Sequence, residues 1–224
     1  MAEAKEEKKA AEARMLEFFK GLAGKMILVL TAIAVAFTVV LVIIDQMTEA
    51  TIAANEKADL HRSILIAAGL IVHDQQNVDI EKGFAEHIEE KVSKSGFRYW
   101  KIYKDKVGGE ILGYAVRIKG GGFQGRVAMQ VALTPDLSEI LGAHVIYTEI
   151  GETPGLGYRM TETWFQEQFK GLKTEPKIEF IKYVKPEKPN QFEAITGATF
   201  TSTTVRNLLN NAIAKLRQAV KEEE

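Results

Sequence analysis

The feature that most constrains this chain is an unbroken apolar run from Met26 to Ile44, MILVLTAIAVAFTVVLVII, whose only polar groups are the hydroxyls of Thr31 and Thr38. As an α-helix its 19 residues reach about 28 Å, close to the hydrocarbon thickness of a bilayer. The two hydroxyls can bond back to their own helix, so neither blocks a span. A core helix rarely stays apolar all round over such a length. A cleaved signal peptide carries a shorter apolar stretch with small residues directly after it, whereas Asp45, Gln46 and Met47 follow here, and Ala53-Ala54 leaves cleavage as the lesser alternative. One transmembrane helix is therefore expected. Lys5, Lys8, Lys9, Arg14, Lys20 and Lys25 precede it, and only Lys57 and Arg62 lie in the twenty residues that follow. The positive-inside bias then puts the N-terminus in the cytoplasm and everything from Asp45 outside.

Beyond the span, Ile52, Leu60, Ile64, Ala67, Ala68 and Ile71 recur at helical spacing, which predicts a stalk helix over Met47 to Val72. A second helix is expected over Val78 to Val92, stopped by Lys94-Ser95-Gly96. Alternation then takes over. Leu112, Tyr114, Val116 and Ile118, and again Val127, Met129, Val131 and Leu133, read as half-buried strands on either side of Gly120-Gly121-Gly122. That glycine run is a hairpin connection, because a phosphate loop would need a helix after it and a strand follows. Tyr99, Trp100 and Tyr103 read as strand residues. Further strands are expected at Ala143 to Thr148 and Ile178 to Val184, with a short helix at Glu162 to Phe169. From Val205 the stripe Leu208, Leu209, Ala212, Ile213, Leu216 and Val220 predicts a C-terminal helix. The resulting class is α+β: an antiparallel sheet flanked by helices and preceded by one N-terminal transmembrane helix. The expected divisions are a cytoplasmic segment 1–25, the span 26–44, a stalk and helical entry 45–95, and an extracytoplasmic domain 96–224.

Composition excludes several chemistries. The chain has no cysteine, which removes disulfides, thiolate metal sites and cysteine nucleophiles. Its four histidines, His61, His73, His87 and His144, include no i, i+4 pair, so no metal site is expected. A net charge of −1 offers no electrostatic footprint for nucleic acid.

Two segments carry chemistry. Glu193 to Thr204 places five threonines and Ser202 in a turn directly before the C-terminal helix. The simpler reading is a helix start capped by Ser202 or Thr203. One cap needs one hydroxyl, and the surplus suits an anion site at the positive end of the helix, with Gly197 allowing close backbone approach. The second segment, Glu152-Thr153-Pro154-Gly155-Leu156-Gly157, reads first as a tight loop. It also suits a flat polar-edged ring, with Leu156 over one face and Thr153 and loop amides at the edge. Trp164 is a possible ring neighbour but reads more simply as core.

At these two segments the chain resembles the FMN-binding domains of Rnf and Nqr electron-transport complexes. Thr196-Gly197-Ala198-Thr199, followed by Thr201-Ser202, looks like their [S/T]-G-A-T flavinylation motif, and Glu152 to Gly157 looks like their E-T-P-G-L-G loop. The resemblance is nearest to the G subunit of Rnf complexes, with the C subunit of the sodium-translocating NADH:quinone reductase as the alternative. It implies FMN joined through its phosphate to Thr199, with Thr196, Gly197 and Ala198 read by a separate flavin transferase that uses FAD, and Glu152, Thr153, Gly155 and Leu156 around the ring. Glu193 stands where the family often has Asp. The implied function is an electron-transfer subunit of an ion-translocating ferredoxin:NAD oxidoreductase in the cell inner membrane. Its partners would be the other subunits and, through one helix, membrane lipid. Two rivals need no flavin: an anchored binding or assembly module, and a hydrolase using Thr199 or Ser202, which lacks a nearby base.

Overall fold

The computed structural model describes residues 10, 17–18, 21–72 and 78–223. The flanking cations Lys5, Lys8, Lys9, Arg14 and Lys20, and also His73, lie outside the described residues. Two compact units divide at Ala54 and Asn55.

The apolar run and the stalk form one helix, α1, Leu22–Ala67. Its apolar window is long enough to cross a membrane and has no buried share. Thr38 bonds back to the Ala34 carbonyl at 2.8 Å, as a threonine in a span should. The helix stops earlier than Val72 because Gly69 turns left-handed at φ 73°. The Leu70 N–H then returns to the Leu65 carbonyl at 3.0 Å, a Schellman closure.

The expected helix over Val78 to Val92 is corrected. Asp79 caps a shorter helix, α2 (Ile80–His87), by accepting the Lys82 N–H at 3.1 Å. Residues Ile88–Val92 are strand β1. Pairing decides this: β1 lies antiparallel to β2 (Arg98–Tyr103), and Ile88 meets Ile102 in a buried cluster. Charged Glu89, Glu90 and Lys91 dress this edge strand, which guards it against further pairing.

The sheet continues through β3 (Ile111–Gly121), β4 (Arg126–Leu133) and β5 (Ile140–Val145), all antiparallel in the order β1-β2-β3-β4-β5. The glycine run, expected as the connection, is corrected: Gly120 and Gly121 end β3, paired with Val127 and Arg126, and the turn spans residues 122–125, closed by Gly122 N–H donating to Gly125 O at 2.7 Å. After β5 come a 3-10 turn at Tyr147–Glu149, a second at Gly157–Thr161 and the short helix α3, Thr163–Glu167. The strand expected at Ile178 to Val184 shrinks to β6 (Glu179–Ile181), which pairs in parallel with β7 (Gln191–Glu193), a strand with no signal in the sequence. The last helix, α4, spans Thr199–Lys221.

One sheet face packs Tyr114, Val116, Ile118, Val127, Met129, Val131 and Leu133 against Val205, Leu209, Ile213 and Leu216 of α4. The expectation of half-buried strands is corrected for β4, which is buried on both faces. On the sheet's second face Ile64, Leu65 and Ala67 of α1, with Ala68 just after it, pack over Trp100, Ile102, Ala115 and Ala132. Small residues permit that approach. A Cβ on Gly142 would stand 2.6 Å from the Ala67 carbonyl oxygen.

Candidate functional site

The loop after β5 and the turn before α4 meet in one cleft of about 240 Å³, lined by Phe123, Glu152, Thr153, Leu156, Gly157, Tyr183 and Gly197 to Thr201. Gly197 is left-handed at φ 80°, and a Cβ built on it would come within 3.1 Å of Leu156 Cδ2. Leu156 therefore rests on a backbone position only glycine serves well. Two segments distant in the chain thereby meet at Leu156 and Gly197, which are 41 positions apart and line the same cleft.

Glu152 is buried, and its Oε1 accepts the Phe123 N–H at 2.6 Å. Glycines make the room for this carboxylate. A Cβ at Gly122 would overlap Glu152 Oε1, and one at Gly157 would overlap Glu152 Oε2 and stand 2.7 Å from Thr201 Oγ1. The glycine-rich β3–β4 turn is thus shaped by a carboxylate arriving from another loop. Thr153 closes the loop by accepting the Leu156 and Tyr158 N–H groups at 3.2 and 3.1 Å on its carbonyl, while its hydroxyl donates to Gln124 Oε1 at 2.5 Å.

Helix α4 begins at Thr199, six residues ahead of the expected Val205, and the expected caps are corrected. Its N-cap is Ala198, which has no side chain able to cap, so the first-turn N–H groups and the helix dipole remain available to an anion. Ser202 lies inside the helix with a different task. Its Oγ, fully buried, accepts the Ile195 N–H at 3.0 Å and donates to the Ala198 carbonyl at 3.1 Å, pinning the turn from beneath. Thr203 donates to the Thr199 carbonyl at 2.8 Å. Thr199 itself is exposed, as are Thr196 and Gly197.

Of the residues singled out by sequence, the cleft gathers Glu152, Thr153, Leu156, Gly197, Ala198 and Thr199. Thr196 falls in an adjoining crevice with Lys182, Tyr183 and Thr199. Gly155 lines neither and serves the loop through its φ of 76°. Sequence reasoning missed Phe123, Gly157, Tyr183, Phe200 and Thr201. Gly157 and Thr201 lay within the quoted motifs. Phe123 and Tyr183 had no signal. Phe123 and Phe200 meet edge to face at 6.0 Å and stay largely exposed, as does Tyr183. Trp164 is absent from the cleft lining and packs against the core, under the Arg159 guanidinium. The Arg159–Glu162 pair lowers the Glu162 carboxyl, with the Trp164 N–H adding to it.

On the other side of the β3–β4 turn, Arg117 and Lys119 both pair with Glu149. Burial pushes both cations below their ordinary values. His61 bonds Glu81 at 2.9 Å, His87 meets the Tyr103 carbonyl at 3.1 Å, and His144 is buried beside Tyr147. Among the described residues no cluster could hold a metal ion.

The cleft fits an FMN: exposed aromatic and leucine walls, a buried polar floor, and an exposed hydroxyl at a helix start without a side-chain cap, where a phosphate is favoured. Residues 122–214 match the FMN-binding domain family. The G subunit of the Na(+)-translocating ferredoxin:NAD(+) oxidoreductase complex of Acetobacterium woodii is 31% identical over 140 residues, 60% of this chain and 66% of that protein. The C subunit of the Na(+)-translocating NADH-quinone reductase of Vibrio anguillarum is 31% identical over 112 residues, 47% of this chain and 43% of that one. The chain spans less than two thirds of the length of these relatives. The fold is that of Shewanella oneidensis NqrC, with a TM-score of 0.59 at 21% identity over 70% of this chain and 91% of that one.

Proposed function

Because residues 122–214 match the FMN-binding domain family, we propose that this chain is the G subunit of an Rnf-type, ion-translocating ferredoxin:NAD oxidoreductase, with FMN joined through its phosphate to Thr199. The observation that carries this reading is the contact of Leu156 with Gly197. It brings a ring-suited loop and an exposed threonine at a helix start to one cleft.

FMN, when bound, would supply the one- and two-electron chemistry of the site. The protein's part is to tether, orient and tune. Thr199 offers its hydroxyl from the surface, so a separate transferase can reach it. That step would join the Thr199 oxygen to the FMN-side phosphorus of FAD in place of the pyrophosphate bond, with AMP and the hydroxyl proton released. Thr196, Gly197 and Ala198 shape the turn the transferase reads. Leu156, Phe123 and Phe200 would give the ring apolar cover, and Glu152 and Thr153 would give it a polar edge.

The lysines before α1 favour a cytoplasmic N-terminus and a flavin domain on the outer face of the inner membrane. A protease added to intact spheroplasts should then remove a tag placed after Glu224, and protection of that tag would reverse the orientation. The run from Met26 to Ile44 holds no ionisable residue, so the ion path belongs to partner subunits. The 31% identity with a C subunit supports a second assignment, the C subunit of a sodium-translocating NADH:quinone reductase. The proteins recovered together with the native chain distinguish the two.

Mass spectrometry of the protein from its native host should show the mass of one FMN less one water. Thr199→Ala should abolish that increment while the circular dichroism stays unchanged. A Thr199→Ala protein that remains covalently yellow in denaturant would falsify the attachment.

A further inference from the structure

Thr201 is 1% exposed, lines the cleft, and its Oγ1 has no hydrogen-bond partner. Buried hydroxyls are ordinarily paired, because water given up on burial must be replaced. Valine has the same shape without that cost, so packing does not account for a threonine here. Its surroundings do. A Cβ on Gly157 would lie against both Thr201 Oγ1 and Glu152 Oε2, so the hydroxyl and the carboxylate border the same space. A carboxylate only accepts, whereas a hydroxyl can donate. Side by side they complement an edge that alternates carbonyl oxygen and N–H, which is the pyrimidine edge of a flavin ring. The cofactor's phosphate is the other acceptor near this helix start, but the Glu152 carboxylate repels it.

We propose that Thr201 is a ring-contact residue, whose hydroxyl donates to a carbonyl oxygen on the polar edge of the flavin ring and sets its potential. This rests on the reading that FMN occupies this cleft. Donation strengthens as negative charge gathers on the ring, so the hydroxyl favours the reduced form. Its removal lowers the midpoint potential.

The full-length chain, purified in detergent after coexpression with a flavin transferase, allows the test. Wild type, Thr201→Val and Thr201→Ser should all gain the FMN mass. Thr201→Val should lower the flavin midpoint potential and raise a ring carbonyl stretching frequency in the Raman spectrum, and Thr201→Ser should restore both. In a flavin-free Thr199→Ala background, Thr201→Val should raise the melting temperature, because it removes an unpaired buried hydroxyl. A loaded Thr201→Val protein with wild-type potential and carbonyl frequency overturns the proposal. So does a lower melting temperature in the flavin-free background, which would mean that the hydroxyl has a structural partner. Loss of the FMN mass in Thr201→Val alone assigns the hydroxyl to attachment and also overturns it. If wild type carries no FMN mass, the attachment reading fails and the ring contact falls with it.

Discussion

Thr199 and Ser202 share one turn of α4, yet one faces solvent and the other is fully buried. The sequence motif presents them as neighbouring hydroxyls, and only the helix register separates their tasks. Ser202 is the hydrogen-bond acceptor the structure provides for the Ile195 N–H, at 3.0 Å. Ser202→Ala leaves that donor buried and unpaired, which costs roughly 1–3 kcal/mol. The Thr196 to Thr199 turn that it pins should loosen as well. We expect a lower denaturation midpoint and a smaller flavinylated fraction by mass spectrometry, while Ser202→Thr keeps an oxygen in place and loses less. Full loading in Ser202→Ala would show that the turn holds its shape without the pin. Glycine numbers are equally uninformative without contacts. Gly155 and Gly157 stand two residues apart in one loop. Gly155 needs its left-handed φ but has open space, whereas a Cβ on Gly157 collides with Glu152 and reaches Thr201. Gly155→Ala should therefore cost about 1 kcal/mol and keep its flavin. Gly157→Ala should expel Glu152 from its seat, lower stability further and lose flavin loading. Equal behaviour of the two variants would remove the carboxylate cradle from the account.

At the level of elements, the sequence was legible wherever one face of an element was buried and the other was not. The alternating runs on either side of the β3–β4 turn were legible as strands, and the α4 stripe as a helix, because each presents an apolar face to a shared core. The β1 error has the opposite cause. Residues 88–92 carry Glu-Glu-Lys on an edge, so their hydrophobic signal is weak, and it is pairing with β2 that makes them a strand. Burial of β4 on both faces was hidden by Ala128 and Ala132, whose small side chains read as neutral in a pattern, although Ala132, like Ala115 of β3, lies in the cluster formed with the end of α1. The candidate site divided in the same way. Its motif residues were legible because several functional groups stand together in the chain. Phe123 and Tyr183 were not, since each reaches the cleft alone from a different connection.

For the whole molecule, the decisive matter is which part of α1 belongs to the folded domain. The second unit begins at Asn55, and the residues of α1 that cover the sheet all lie beyond it: Leu60, Ile64, Leu65 and Ala67, followed by Ala68. We therefore expect a chain lacking Met1 to Ala54 to be soluble, cooperatively folded and able to accept FMN, because both core clusters remain intact. A chain that begins at Leu70 tests the other half of the argument. It loses the cover over Trp100, Ile102, Ala115 and Ala132. Each large aliphatic side chain removed forfeits about 1.5–3 kcal/mol of burial. Three of them approach the roughly 5–15 kcal/mol that holds an ordinary domain together. The uncovered face would also be an apolar patch open to self-association. The shorter chain should therefore aggregate or unfold with a broad transition, while the longer one runs as a monomer in gel filtration with a sharp thermal transition. Aggregation of the chain starting at Asn55 would make the membrane span part of the fold. A monomeric, sharply melting chain starting at Leu70 would show that the sheet and α4 suffice without the end of α1.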